Sequence, residues 1–191
     1  MKFFRHLLIA LLLPGSALMA QEISVYKEGT TENPWLPDSA ITQHAAYAGY
    51  LAAGFGYEWR DTWALDLLYG YTPPELAGEA VHSWTLKSLA YLGAIGYQDL
   101  VRLRPYLGLS LNYSPDSELF LKVPDQYPRG YYPASALRPA LVGGLEFLVQ
   151  RQLAIAFEFA VLDSELAYFN DAKSFNPKYM GSSGLSVRWL L

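Results

Sequence analysis

Leu153-Ala154-Ile155-Ala156-Phe157-Glu158-Phe159-Ala160-Val161 is the stretch on which the reading of this chain turns. Its large apolar residues all fall at odd positions, and the even positions hold alanine and one glutamate. Period two is the mark of a strand whose two faces meet different surroundings. The same pattern recurs before and after it. From Tyr47 to Trp59 the face Tyr47, Gly49, Leu51, Ala53, Phe55, Tyr57 and Trp59 opposes Ala48, Tyr50, Ala52, Gly54, Gly56 and Glu58, and Arg60-Asp61 then turns the chain. Trp63, Leu65, Leu67, Tyr69 and Tyr71 oppose Ala64, Asp66, Leu68 and Gly70. Trp84, Leu86, Ala90 and Leu92 mark a strand near 82–95, with Thr85, Lys87 and Tyr91 opposite. Leu103, Leu107, Leu109 and Leu111 oppose Arg102, Arg104, Ser110 and Asn112. Leu137, Leu141, Leu145 and Phe147 oppose Arg138, Gly144 and Glu146, and Leu185, Val187, Trp189 and Leu191 oppose Gly184, Ser186 and Arg188.

Seven strands are legible in this way. Bacterial single-chain membrane barrels have an even number, which requires an eighth, and Glu22 to Lys27, with Ile23 and Val25, is the candidate. Residues 60–61, 96–100 and 150–151 are short enough for tight turns. Residues 28–41, 72–81, 114–135 and 163–180 are long and rich in Pro, Gly, Asn and Asp. Short and long connections alternate, as they do where turns face the periplasm and loops face outward, and this puts both ends of the barrel on the periplasmic side.

Nine charges fall within strands two to eight: Glu58, Asp66, Lys87, Arg102, Arg104, Arg138, Glu146, Glu158 and Arg188. None shares a face with the large apolar residues. A soluble barrel would turn its apolar face inward, leaving a sparsely charged wall in water. The opposite orientation keeps every strand charge out of lipid, where an Arg or Lys at midplane costs about 2–4 kcal/mol. Aromatic residues fall at both strand ends, Tyr57, Trp59, Trp63 and Trp189 at one and Tyr69, Tyr71, Trp84 and Tyr113 at the other, as two interfacial girdles would require. Charged residues make up only 17% of the chain and aromatics 15%, which suits a lipid-facing surface better than a water-facing one.

Met1 to Ala20 has the plan of a secretory signal: Lys2 and Arg5, then the apolar run Leu7 to Leu13, then small residues before Gln21. The run is short and is broken by Pro14-Gly15, unlike a membrane anchor. Cleavage is expected after Ala20, leaving 21–191 as one domain. Losing Lys2 and Arg5 would take the formal charge from -4 to -6, so nothing basic invites nucleic acid. With no cysteine there is neither a disulfide framework nor a thiolate metal site. The expected fold is all-β, an eight-stranded antiparallel up-and-down transmembrane β-barrel in the bacterial outer membrane.

Eight strands leave a lumen only wide enough for side chains. The nine inward charges therefore read first as a charge-paired plug, and second as a narrow conduit for small solutes. For catalysis, His44 and His82 are the available histidines of the exported chain, and Ser83 adjoins the second. Neighbouring strand residues point to opposite faces, so His82 and Ser83 should not pair, while His44 could meet a serine of another strand. No catalytic residue, metal site or cofactor is expected. Asp163, Glu165 and Asp171 share a loop and could hold a divalent cation or bridge through one to lipopolysaccharide, but an acidic solvated loop is the plainer reading. The 114–135 loop holds Tyr127, Arg129, Tyr131 and Tyr132 beside Pro128 and Pro133. Tyr and Arg are frequent anchors at recognition surfaces, and a self-packed cap over the mouth is the alternative.

The segments Tyr69-Gly70-Tyr71-Thr72-Pro73, His82-Ser83-Trp84-Thr85-Leu86-Lys87, Pro105-Tyr106-Leu107-Gly108 and Tyr127-Pro128-Arg129-Gly130-Tyr131-Tyr132 resemble a group of mostly uncharacterised bacterial outer-membrane β-barrel proteins. The chain is also similar in size and strand plan to the lipid A deacylases, whose penultimate strand ends in a catalytic His-x-Ser pair. Here that strand runs Phe157-Glu158-Phe159-Ala160-Val161-Leu162-Asp163-Ser164, without a histidine. The resemblance implies an outer-membrane barrel and assigns no activity. The alternating C-terminal run ending at Leu191 resembles the final strand that bacterial barrel assembly machinery recognises. The function expected is non-enzymatic, in envelope structure or surface interaction, for a monomer in contact with outer-membrane lipid and lipopolysaccharide. A lipid A or phospholipid acyl hydrolase and a small-solute channel are the alternatives.

Overall fold

The computed structural model describes residues 35–97, 101–115, 136–149, 152–163 and 181–191. Nine strands and one short helix are present among them: β1 Ser39–Ala45, β2 Leu51–Trp59, β3 Trp63–Thr72, α1 Pro74–Ala77, β4 Val81–Tyr91, β5 Ile95–Tyr97, β6 Val101–Tyr113, β7 Leu137–Val149, β8 Leu153–Leu162 and β9 Ser182–Leu190. Eight of the strands form a closed antiparallel barrel. Strand β4 pairs with β6, and β1 pairs with β9, so the sheet returns on itself. The short β5 pairs with the start of β6 alone and adds no stave.

Alternation sets the two faces. Along β8 the burial switches at every residue from Ala154 to Ala160, with Ala154, Ala156, Glu158 and Ala160 inside. Leu107, Leu109, Leu111, Leu141, Leu145, Phe157 and Phe159 stand exposed on the outer wall. The interior holds Asp66, Lys87, Arg104, Glu146, Glu158 and Arg188, each buried. This distribution, charged within and apolar without, is the reverse of a soluble barrel and is that of a transmembrane β-barrel.

The eighth stave differs from the one expected. The segment Glu22 to Lys27 lies outside the described residues, and the barrel is closed by Ser39–Ala45. Its inward residues are Ser39, Ile41 and Gln43, and its outward ones are Ala40, Thr42 and His44. With no large apolar residue facing out, the strand lacks the signal that marks the others. Residues 39–41, expected within a loop, belong to this strand, and the first connection among the described residues is the tight turn 46–50, at the same end as the 73–80 connection. Alternation of short and long connections fails there. The Tyr47 to Trp59 run is also shortened, for β2 begins at Leu51, and Tyr47 turns inward to pack against the core cluster that contains Tyr91 and Tyr106.

Side-chain size is matched across the ladder. A Cβ on Gly144 would fall on Cζ and Oη of Tyr106, its directly paired neighbour on β6. Glycine here is what lets a tyrosine ring cross the narrow lumen.

Candidate functional site

Among the described residues, three places hold polar groups in definite arrangements: the lumen, the turn that enters its mouth, and the outer rim of β3 and β4.

In the lumen, five charges form an alternating chain. Arg104 Nη1 donates to Glu58 Oε1 at 2.5 Å, and Arg104 Nε donates to Glu146 Oε1 at 2.9 Å. Arg188 Nε lies 3.5 Å from Glu146 Oε2, and Arg188 Nη2 donates to Asp66 Oδ2 at 2.7 Å. The Arg104 guanidinium also sits 4.0 Å over the Tyr91 ring, and Tyr91 Oη donates to Glu146 Oε2 at 3.3 Å. A second group centres on Lys87. Its Nζ reaches Glu158 Oε1 at 2.5 Å, Glu158 Oε2 at 2.7 Å and Gln43 Oε1 at 2.6 Å. Tyr106 Oη donates to Glu158 Oε2 at 3.3 Å. Shared acceptors and multiple donors are what buried ions need if their desolvation is to be offset. Arg102 and Arg138, the two remaining strand charges of the nine, are half-buried towards opposite ends of the barrel.

The mouth on the loop side is occupied by the turn 46–50. Ala45, Ala46 and Tyr47 all have positive φ, 64°, 51° and 45°, a run of left-handed residues that side chains ordinarily disfavour. Interior groups hold it. Ser83 Oγ donates to Ala48 O at 2.7 Å, Asn112 Nδ2 to Tyr47 O at 3.1 Å, and Ala46 N to Ser183 O at 3.1 Å. Ala46 and Ala48 are wholly buried. Small side chains suit a turn packed this deeply, as the alanines at 46 and 48 are. The sequence offers one clue to this wedge, the cluster of small residues from Ala45 to Gly49, which the strand reading absorbed.

The histidines are engaged elsewhere than with serine. His44 Nδ1 lies 2.7 Å from Tyr50 O, so it carries the proton and donates. His82 faces outward and Ser83 inward, on opposite sides of the wall. Tyr69 Oη lies 2.6 Å from His82 Nδ1. The Tyr71 and Tyr69 rings stand 5.2 Å and 5.9 Å from the imidazole, and Trp84 is 5.0 Å from Tyr69. Strand register makes this cluster, since Tyr71 pairs with His82 and Tyr69 with Trp84. Sequence reasoning missed it because pairing across the 73–80 connection had not been read.

Tyr127, Arg129, Tyr131 and Tyr132 lie outside the described residues, as do Glu165 and Asp171; Asp163 follows β8 directly and is exposed. Among the described residues no three His, Asp or Glu side chains gather as a metal site would require.

No protein-family model matches the chain, and no curated protein matches it. Among solved structures it is similar to the crystal structure of the outer membrane enzyme PagL, with a TM-score of 0.43 and 13% identity over 80% of this chain and 98% of that one.

Proposed function

We propose that this chain is an integral protein of a bacterial outer membrane, exported by a cleaved leader at 1–20, with a side-chain-filled lumen and a non-enzymatic role at the envelope. The observation that carries the reading is the sorting of residues across the wall. Buried Lys87, Arg104 and Arg188 are matched by Glu58, Asp66, Glu146 and Glu158, while leucine and phenylalanine face out. A lumen crossed by ion pairs and tyrosine rings supports a plug in preference to a solute conduit. The long connections 114–135 and 163–180 then form the surface presented to the exterior, with Tyr127, Arg129, Tyr131 and Tyr132 as candidate contacts. Lipopolysaccharide and outer-membrane lipid are the surroundings, barrel assembly machinery acts during insertion, and the working form is a monomer.

Outer-membrane fractionation followed by heat-modifiable gel migration tests the placement, and recovery from the soluble periplasm would overturn it. Mass spectrometry of lipid A from cells with and without the gene, with a micellar phospholipase assay on the purified protein, tests the absence of acyl hydrolysis. A change in either would replace the non-enzymatic reading by the acyl hydrolase alternative.

A further inference from the structure

Strand β4 changes character along its outer face. From the loop end downward it presents His82, Trp84, Leu86 and Ser88. At the top, His82 is held by Tyr69 and flanked by Tyr71. In the tautomer in which the Tyr69 phenol donates to Nδ1, the imidazole proton resides on Nε2, which then faces outward as a donor. Two residues below Trp84, Leu86 forms the edge of a groove of about 490 Å³ whose wall includes Leu109, Leu111, Pro139 and Leu141. Register makes the wall continuous, Leu86 pairing with Leu111 and Leu111 with Pro139, Ser88 with Leu109 and Leu109 with Leu141.

Neither half alone identifies a ligand. Interfacial rings are ordinary in membrane barrels, and an apolar groove on a lipid-facing wall is unremarkable. Joined through one strand, they describe an amphiphile: a polar group at the rim that accepts a hydrogen bond, and a hydrocarbon chain beneath it. The groove is of ligand size and its exposed lining is mostly carbon, suited to a hydrocarbon chain; Asp163 also lines it, so an anionic group is seated at the His82 rim and not in the groove.

We propose that this surface seats one phosphate-bearing membrane lipid, its phosphate accepting from His82 Nε2–H and one acyl chain lying in the groove. An anionic acceptor gives a charge-assisted bond about twice as strong as a neutral one. A phosphate is therefore preferred over the ester carbonyls that every glycerolipid offers. Tyr69 is a positioning residue, since it fixes the imidazole without touching the lipid. The proposal rests on the outer wall facing lipid.

The test uses the whole barrel folded in detergent micelles and ¹⁵N-labelled at histidine, with signals assigned through His44→Gln and His82→Gln variants. Phosphatidylglycerol should shift the His82 Nε2–H signal saturably, and diacylglycerol of the same chains should leave it in place. Tyr69→Phe, which frees the imidazole to rotate and to carry its proton on Nδ1, should weaken the phosphatidylglycerol response severalfold without abolishing it. Leu111→Trp, which fills the groove, should weaken the response to long-chain lipid and spare that to a short-chain analogue. Equal responses to the two lipids, or full affinity in Leu111→Trp, would overturn the seat while leaving the membrane reading intact. A chain that stays soluble and shows no heat-modifiable migration would overturn both.

Discussion

Asp66 and Lys87 face each other directly across the β3–β4 ladder, yet each gives its charge to a different partner: Asp66 to Arg188 at 2.7 Å, and Lys87 to Glu158 at 2.5 Å. Cross-strand neighbours of opposite sign would ordinarily pair. Here the lumen is narrow enough for each to reach across it instead, so the ion pairs tie opposite walls together.

Breaking one tie should be costly and removing both partners should be mild. Lys87→Met leaves Glu158 buried without its cation and should cost about 3–5 kcal/mol. Adding Glu158→Gln should return much of that loss. Urea unfolding of the folded barrel in micelles, followed by tryptophan fluorescence and gel migration, measures both.

Leu109 is among the most exposed residues of the outer wall, at 63%. In lipid, Leu109→Arg should cost about 2–4 kcal/mol if the residue sits near the midplane. A water-facing wall would accept the same change within about 0.5 kcal/mol. Refolding yield and unfolding free energy in bilayers separate the two.

Gly144→Ala should be destabilising by about 1–3 kcal/mol, because the added Cβ meets both the end of the Tyr106 ring and the Phe157 carbonyl oxygen. Combining it with Tyr106→Leu should relieve the first clash and leave the second. Partial recovery in the double variant, read by the same unfolding assay, gives the share of the cost that the ring contact carries.

The left-handed turn gives a prediction of opposite sign. Ala45→Gly should stabilise the barrel by up to about 1 kcal/mol, the relief of positive φ less the entropy that glycine adds to the unfolded chain. Ser83→Ala removes the donor to Ala48 O and should cost about 1–3 kcal/mol.

Closure of the lumen is tested by current. Purified protein in planar bilayers should give no reproducible conductance steps, and well-defined steps would replace the plug with a conduit. For the proposed loop contacts, Tyr131→Ala together with Tyr132→Ala should alter binding or a surface phenotype while leaving heat-modifiable migration unchanged, and no change in either would end the recognition reading.

How far the sequence carries is clearest strand by strand. β8 is read from its own residues, since Leu153, Ile155, Phe157, Phe159 and Val161 leave one possible phase. β1 is not, because Ala40, Thr42 and His44 supply no apolar contrast, and only the partners Gly56 and Leu190 on either side of Ser39 reveal it. Tyr47 shows the limit of periodicity: three left-handed residues rotate it away from the parity that its neighbours on β2 obey. Parity gives the direction of a side chain and never its partner. That Arg104 would bridge Glu58 on β2 and Glu146 on β7, or that Tyr69 would meet His82, depends on register and curvature, which arise only when the sheet closes.

The pairing of Ser39 with Leu190 joins segments from the two ends of the described chain. Contacts of such long sequence separation carry the largest loop-closure entropy and are the slowest to form. Arg188, on β9, reaches Ser39 Oγ at 2.9 Å on β1 and Asp66 on β3. Until β9 docks, Asp66 therefore lacks its arginine and the β1 edge remains open. The seam and the ion pairing of the lumen are completed in one event, which makes the order of assembly self-checking: a barrel that has closed in the wrong register would also have left a charge stranded inside.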